Sequence, residues 1–123
     1  MRGVYRTTNV DKYRFVTAIK DLCKAPTEEV SLIGAQLSLS DCDTLLKQLG
    51  YYIEDSDTNG WEMDFWWFFS HDEDSNMPGI TVGGCGYTGD IWIAFTDRDR
   101  KDEKELKLCT DLLTDMISAK WKL

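Results

Sequence analysis

The chain has 123 residues, a formal net charge of −8 at pH 7 and a hydrophobic content of 42%. A chain of this length can bury one core without disulfide or metal cross-links, and its composition is that of a folded domain. The charge opposes binding to nucleic acid and to anionic membranes, and it favours basic partners. We therefore expect a single domain over residues 1–123 that makes no direct contact with nucleic acid or membrane.

The sequence also indicates a cellular compartment. No apolar run approaches the roughly 20 residues needed to cross a bilayer, and the polar start lacks the apolar stretch of a signal peptide. The cysteines, Cys23, Cys42, Cys85 and Cys109, lie far apart with no C-x-x-C pair. This pattern is typical of reduced thiols, so we predict a cytoplasmic protein without a structural zinc site.

The negative charge is concentrated in the middle of the chain. Residues 41–75 hold ten acidic side chains and one lysine, whereas residues 1–40 carry +2 and residues 76–123 carry −1. The middle segment, which is also rich in aromatic residues, therefore accounts for the whole imbalance.

The first third of the chain predicts a helix followed by a strand. Asn9 or Asp11 can cap a helix that runs to about Cys23, because its apolar positions recur at helical spacing. From Val30 to Leu39 the apolar residues approximate a two-residue period, which favours a strand. A helix over Thr27–Gln36 remains the alternative for this segment.

A short helix and a first hairpin come next. Ser40 and Asp43 have the spacing of a capping box, and Gly50 stands where a helix would end. Tyr51–Glu54 has the character of a strand and Asp55–Gly60 that of a turn.

The strand predicted after that turn, Trp61–Phe69, alternates strictly. Its odd positions are all apolar, whereas its even positions, Glu62, Asp64, Trp66 and Phe68, are acidic and then aromatic. Alternation places these two sets on opposite faces of the sheet.

A second hairpin and a long helix complete the pattern. Ile80–Gly84 and Asp90–Asp97 form the hairpin, and Cys85–Gly89 forms its turn. From about Lys101 the apolar residues follow helical spacing: Leu106, Cys109, Leu112, Leu113, Met116, Ile117 and Trp121. The element order α-β-α-β-β-β-β-α predicts an α+β fold. We expect a mostly antiparallel sheet of four to five strands, with two hairpins, covered by helices that include a long C-terminal amphipathic helix.

The acidic hairpin is the main candidate site. Alternate residues of a strand lie about 6.6 Å apart, which is comparable with the step between successive phosphates of nucleic acid. Aromatic residues beside such charges can anchor an interface. The predicted binding residues are Glu54, Asp55, Asp57, Glu62, Asp64, Trp66, Phe68, Asp72, Glu73 and Asp74.

In size and charge the chain resembles the small acidic inhibitors of bacteria, plasmids and phages, namely toxin immunity, antirestriction and anti-CRISPR proteins. The resemblance implies a non-enzymatic protein that binds a basic partner, a nuclease or another nucleic-acid-binding protein. The alternative for these residues is an ordinary solvated face. The C-terminal helix could also serve a homodimer.

The alternative function is small-ligand binding at the Gly-rich segment 83–89. Glycines let a backbone approach an anion or a nucleotide closely, and Gly84, Cys85, Gly86 and Tyr87 are the candidates. The dinucleotide-binding fingerprint requires a helix after the glycines, whereas a strand is predicted here. A hairpin turn is therefore the simpler interpretation.

Two further patterns are weak. Asp55-x-Asp57-x-Asn59-Gly60 matches half of a calcium-loop motif, but Trp66 stands where the bidentate Glu is required. Cys85 and His71, the only histidine, could form a nucleophile and base only if the fold brought them together. We therefore predict no metal, no cofactor and no catalysis.

Overall fold

The computed structural model describes residues 9–33, 37–59, 64–72, 76–85, 90–96 and 101–121. Its elements are α1 (Asn9–Lys24), β1 (Val30–Leu32), α2 (Leu39–Lys47), β2 (Tyr52–Asn59), β3 (Asp64–Ser70), β4 (Ile80–Cys85), β5 (Ile91–Phe95) and α3 (Glu103–Trp121). The predicted order of elements and the α+β class are confirmed.

The five strands form one antiparallel sheet in the order β1-β5-β4-β3-β2. Strands β2 to β5 therefore follow one another as a meander, and β1 closes the edge beside β5. Both predicted hairpins are present within this meander.

The core lies between one face of the sheet and the three helices. Phe65, Trp67 and Phe69 of β3 point into it, as the alternation predicts, and Ile80, Val82 and Ile93 lie beside them. Helix α1 contributes Phe15, Val16, Ile19 and Leu22; α2 contributes Cys42, Leu45 and Leu46; α3 contributes Leu113 and Ile117. The helices therefore share the inner face of the sheet.

Helix α3 packs mainly against α1 rather than along the sheet. Leu106, Cys109, Leu113 and Ile117 are buried as predicted, whereas Leu112 is 47% exposed. Leu112 follows the helical spacing but lies outside the buried stripe of α3, which consists of Leu106, Cys109, Thr110, Leu113 and Ile117. No helix among the described residues has both the length and the apolar composition that crossing a bilayer requires.

The predicted strand from Val30 to Leu39 is too long. Strand β1 ends at Leu32, and Leu39 is already the first residue of α2. Only the first three residues pair with β5, and the guanidinium of Arg14 donates to the carbonyl of Ile33 at 2.6 Å just beyond the strand.

The capping box of α2 lies two residues before the predicted one. The Ser38 hydroxyl accepts from the Asp41 amide at 3.1 Å, and the Asp41 carboxylate accepts from the Ser38 amide at 3.0 Å. Ser38 and Asp41 have the same three-residue spacing as Ser40 and Asp43, so the spacing alone could not distinguish them.

Gly50 ends this unit as predicted, with a φ of 89° that favours glycine. Its amide donates to the Lys47 carbonyl and the Tyr51 amide donates to the Leu46 carbonyl, both at 3.0 Å. These two bonds are those of a Schellman motif, and they direct the chain into β2.

Substitution of Ser38 by Ala is expected to cost about 1 kcal/mol of unfolding free energy, since it leaves the Asp41 amide without its cap. Ser40→Ala, inside the first turn, should leave stability unchanged or slightly raise it because Ala is the better helix former. Urea unfolding of the two variants measures the difference. A larger loss for Ser40→Ala would mean that α2 begins where the sequence alone suggested.

Candidate functional site

One face of the sheet, which none of the described helices covers and which we call the helix-free face, carries aromatic and acidic residues side by side. We call the outward positions Tyr52, Glu54, Asp55, Asp57, Trp66, Phe68 and Trp92 the acidic–aromatic face. Trp66 is 36% exposed and Tyr52 is 47% exposed, while Phe68 and Trp92 are half-buried. None of these aromatic residues belongs to the core cluster.

A β-bulge in β2 brings the acids to this face. Ile53 pairs with Phe69 and faces the core, and the next paired residue is Asp55, opposite Phe68. In a regular strand Asp55 would share the face of Ile53, because side chains two residues apart point the same way. The extra residue, Glu54, reverses the alternation. Asp55 and Asp57 consequently pair with the outward residues Phe68 and Trp66.

The prediction of a turn over Asp55–Gly60 is therefore wrong for Asp55–Asn59, which continue β2. Gly60 itself lies outside the described residues. Asp, Asn and Gly are turn formers, but here the cross-strand pairing with the aromatic residues of β3 extends the strand through them.

The carboxylates of the face have no basic counterpart within the sheet. Strands β2 to β5 contain no Lys or Arg. The Glu54 carboxylate accepts a hydrogen bond from the Ser70 hydroxyl across the strand pair. The Asp55 carboxylate accepts from the Ser56 amide at 2.8 Å. Both acids are exposed, so their negative charge is available to a partner.

The remaining predicted binding residues extend this surface or lie outside the description. Asp64 begins β3, opposite Asn59, and Asp72 is exposed just beyond the end of β3. Glu62, Glu73 and Asp74 lie outside the described residues. Sequence reasoning missed Tyr52 and Trp92. Trp92 could have been found, because it alternates with the inward residues Ile91 and Ile93.

The glycines of β4 are explained by aromatic packing. The indole of Trp92 lies over Gly83, where a Cβ would come within 2.2 Å of the Trp92 Cζ2 atom. A Cβ at Gly84 would come within 2.5 Å of the Phe65 Cζ atom and 2.6 Å of the Asp90 carbonyl oxygen. Larger residues at positions 83 and 84 would displace these neighbours, so packing alone requires glycine there.

The predicted ligand residues Gly84 and Cys85 line a cavity of about 370 Å³ at one end of the sheet. Gly86 and Tyr87 lie outside the described residues. The cavity joins the two predicted sites, since Trp66 and Trp92 of the acidic–aromatic face line it as well. Among the described residues its lining includes Asp90 but neither Lys nor Arg, which disfavours an anionic ligand.

The two weak patterns find no support among the described residues. Asp55, Asp57 and Asn59 lie along a strand rather than around a loop, and no group of three metal-ligating side chains occurs in the described part. His71 contacts the Leu49 carbonyl through Nε2 at 2.8 Å. Cys85 pairs with Asp64 at the far end of β3, and at about 3.3 Å per residue that end lies roughly 20 Å from His71. The fold does not bring Cys85 and His71 together.

The thiols of the helices are protected from reaction. Burial raises the pKa of Cys23 to about 11, and burial also raises the pKa of Cys42, which is fully enclosed. Because the thiolate is the reactive form, both side chains are inert near neutral pH. The four cysteines, all in the described part, form no disulfide.

Comparisons with known proteins do not assign this face to a known site. Neither a protein-family model nor a curated protein nor a solved structure matches the chain. The case for its function therefore depends on the chemistry of the surface.

Replacement of Gly83 by Ala is expected to destabilise the protein by about 1–3 kcal/mol, because the new methyl group forces the Trp92 indole away from the sheet. In a Trp92→Leu background the same substitution should cost markedly less, since the clashing ring is gone. Chemical unfolding of the wild type, both single variants and the double variant measures this coupling. Equal costs in both backgrounds would mean that Trp92 does not lie over Gly83.

Proposed function

We propose that this protein is a non-enzymatic inhibitor that binds a basic, nucleic-acid-handling protein through its acidic–aromatic face. The observation that carries the proposal is the position of exposed Trp66 on the helix-free face, directly opposite Asp57 in β2. An anti-CRISPR, antirestriction or toxin immunity role would use a surface of this kind. We place the protein in the cytoplasm, where thiols stay reduced.

The acidic residues would act first, at long range. A net charge of −8, with the exposed carboxylates of Glu54 and Asp55 on the sheet, attracts a basic groove and raises the association rate. Surface attraction of this kind weakens as salt screens it. Binding should therefore depend on ionic strength.

The aromatic residues would then hold the complex. Tryptophan and tyrosine supply large contact areas and are enriched among the residues that dominate binding energy. An arginine of the partner could stack on Trp66 while a carboxylate of β2 accepts its N–H groups, a combination that lysine cannot reproduce. The face is thus suited to a partner rich in arginine.

Other arrangements have less support. Two copies joined through this face would bring two acidic surfaces together, and this repulsion opposes a homodimer there. Anion binding at Gly84 and Cys85 is disfavoured by the Asp90 carboxylate in the same cavity. The negative charge of the chain favours binding to a basic protein, whereas it opposes binding of an anion at Gly84 and Cys85.

Reversal of charge with Asp55→Lys and Asp57→Lys is expected to abolish capture of a basic nucleic-acid-binding protein from nuclease-treated bacterial lysate. The matched control is Glu103→Lys with Glu105→Lys, which changes the net charge equally but on α3. The control should retain capture at low salt and lose it progressively at high salt. The captured protein is identified by mass spectrometry, and its activity on nucleic acid is assayed with and without the wild-type chain.

A second pair of variants tests the contribution of the Trp66 side chain to binding separately from that of the acidic residues. Trp66→Ala should weaken binding at least tenfold at constant salt, whereas Tyr13→Ala, which truncates a 58% exposed aromatic residue on α1, should have little effect. Capture that survives both the charge reversal and Trp66→Ala would exclude this face. A captured partner whose activity is unaffected would exclude inhibition.

A further inference from the structure

A second surface of the molecule has the opposite chemistry. A cavity of about 770 Å³ lies between the end of α1 and the beginning of α3, on the helical side of the protein. Its lining consists of Lys20, Cys23, Lys24, Pro26, Thr27, Lys101, Glu103, Leu106, Lys107, Thr110, Asp111 and Thr114. We call it the lysine groove. Its volume lies in the range of small-molecule sites, roughly 300–1,000 Å³.

The charge of the groove is the reverse of that of the whole chain. Within the described part of the chain, four lysines and two carboxylates line it. The Lys107 Nζ atom lies 3.4 Å from the Asp111 carboxylate, so these two charges offset each other. Lys20, Lys24 and Lys101 form no ion pair among the described residues. With Glu103 counted against them, the groove retains an excess of positive charge.

The anion-binding groups of the groove are its side chains and not a helix end. The Asp102 carboxylate accepts from the Glu105 amide at 2.8 Å, and the Asp102 carbonyl accepts from the Leu106 amide at 2.9 Å. Asp102 therefore caps α3 itself. Lys20 and Lys101, both half-buried, project from separate parts of the chain, and an anion between them would meet two ammonium groups.

The floor of the groove is neutral and largely apolar. Leu106 is buried, and Pro26 and Cys23 are half-buried. Burial keeps the Cys23 thiol protonated near neutral pH. The Thr110 hydroxyl donates to the Lys107 carbonyl and the Thr114 hydroxyl donates to the Thr110 carbonyl. A floor of this kind suits the uncharged part of a ligand.

We propose that the lysine groove binds a small organic phosphate, with the phosphate between Lys20, Lys24 and Lys101 and the organic part against Leu106 and Pro26. A polymeric nucleic acid would extend beyond the groove into the field of a chain with net charge −8. A compact ligand avoids this repulsion. The site is independent of the acidic–aromatic face, and neither proposal requires the other.

The test uses adenosine triphosphate and inorganic tripolyphosphate as probes, titrated calorimetrically in EDTA at low salt. The wild type should bind adenosine triphosphate more tightly than tripolyphosphate, because only the former has a part that fits the floor. Lys20→Gln with Lys101→Gln should weaken binding of adenosine triphosphate at least tenfold. Lys104→Gln with Lys120→Gln, two exposed lysines of α3 outside the groove, is the control and should bind as the wild type does.

Several outcomes would overturn the assignment. Absence of adenosine triphosphate binding to the wild type, or equal weakening by the two variant pairs, would remove the groove as a site. Equal affinity for the two probes would remove the organic part of the proposal. Tighter binding of a single-stranded oligonucleotide that is lost in Lys20→Gln with Lys101→Gln would replace the small ligand by a polymer. Melting curves without ligand should be unchanged for both variant pairs, which shows that each still folds.

Discussion

The pairing of β2 with β3 around the bulge at Glu54 is the constraint on which the surface chemistry depends. Before the bulge, Ile53 faces the core opposite Phe69; after it, Asp55 is exposed opposite Phe68, and position 57 pairs with Trp66. A strand of regular alternation could not place Ile53 and both acids on the appropriate faces. One extra residue therefore keeps the Ile53 side chain in the core and leaves the carboxylates of Glu54 and Asp55 exposed to water.

The same sheet separates two kinds of surface. The helices take the inner face, where Phe15, Ile19 and Leu113 belong to the same core cluster as the inward residues of the strands. The outer face keeps its aromatic residues, and Gly83 leaves room for the Trp92 indole that lies over it. Because α1 and α3 pack together in the helical layer, their lysines collect away from the acids of β2. The strongly acidic chain thereby has one acidic surface and one basic groove.

Much of the fold could be read from local patterns. Three patterns were sufficient because each involves only residues close together in the chain. They are the helical spacing of α1, the alternation of Phe65–Phe69 and the glycine at position 50 that ends a helix. One error falls where two local solutions are equivalent. Ser38 with Asp41 and Ser40 with Asp43 satisfy the same capping pattern, and α2 uses the first of the two pairs.

The sequence by itself determined the concentration of acids in residues 41–75 and the order of the elements. It also determined that Trp66 and Phe68, at the even positions of β3, lie on the opposite face from the core residues at its odd positions. These properties depend on residue type and on the two-residue period of a strand. Only the tertiary structure decided that β2 continues through Asp57, that Trp92 lies over Gly83, and that Lys20 and Lys101 share a groove. Each of these joins residues distant in the chain, and such contacts depend on strand register and helix packing that no local pattern specifies.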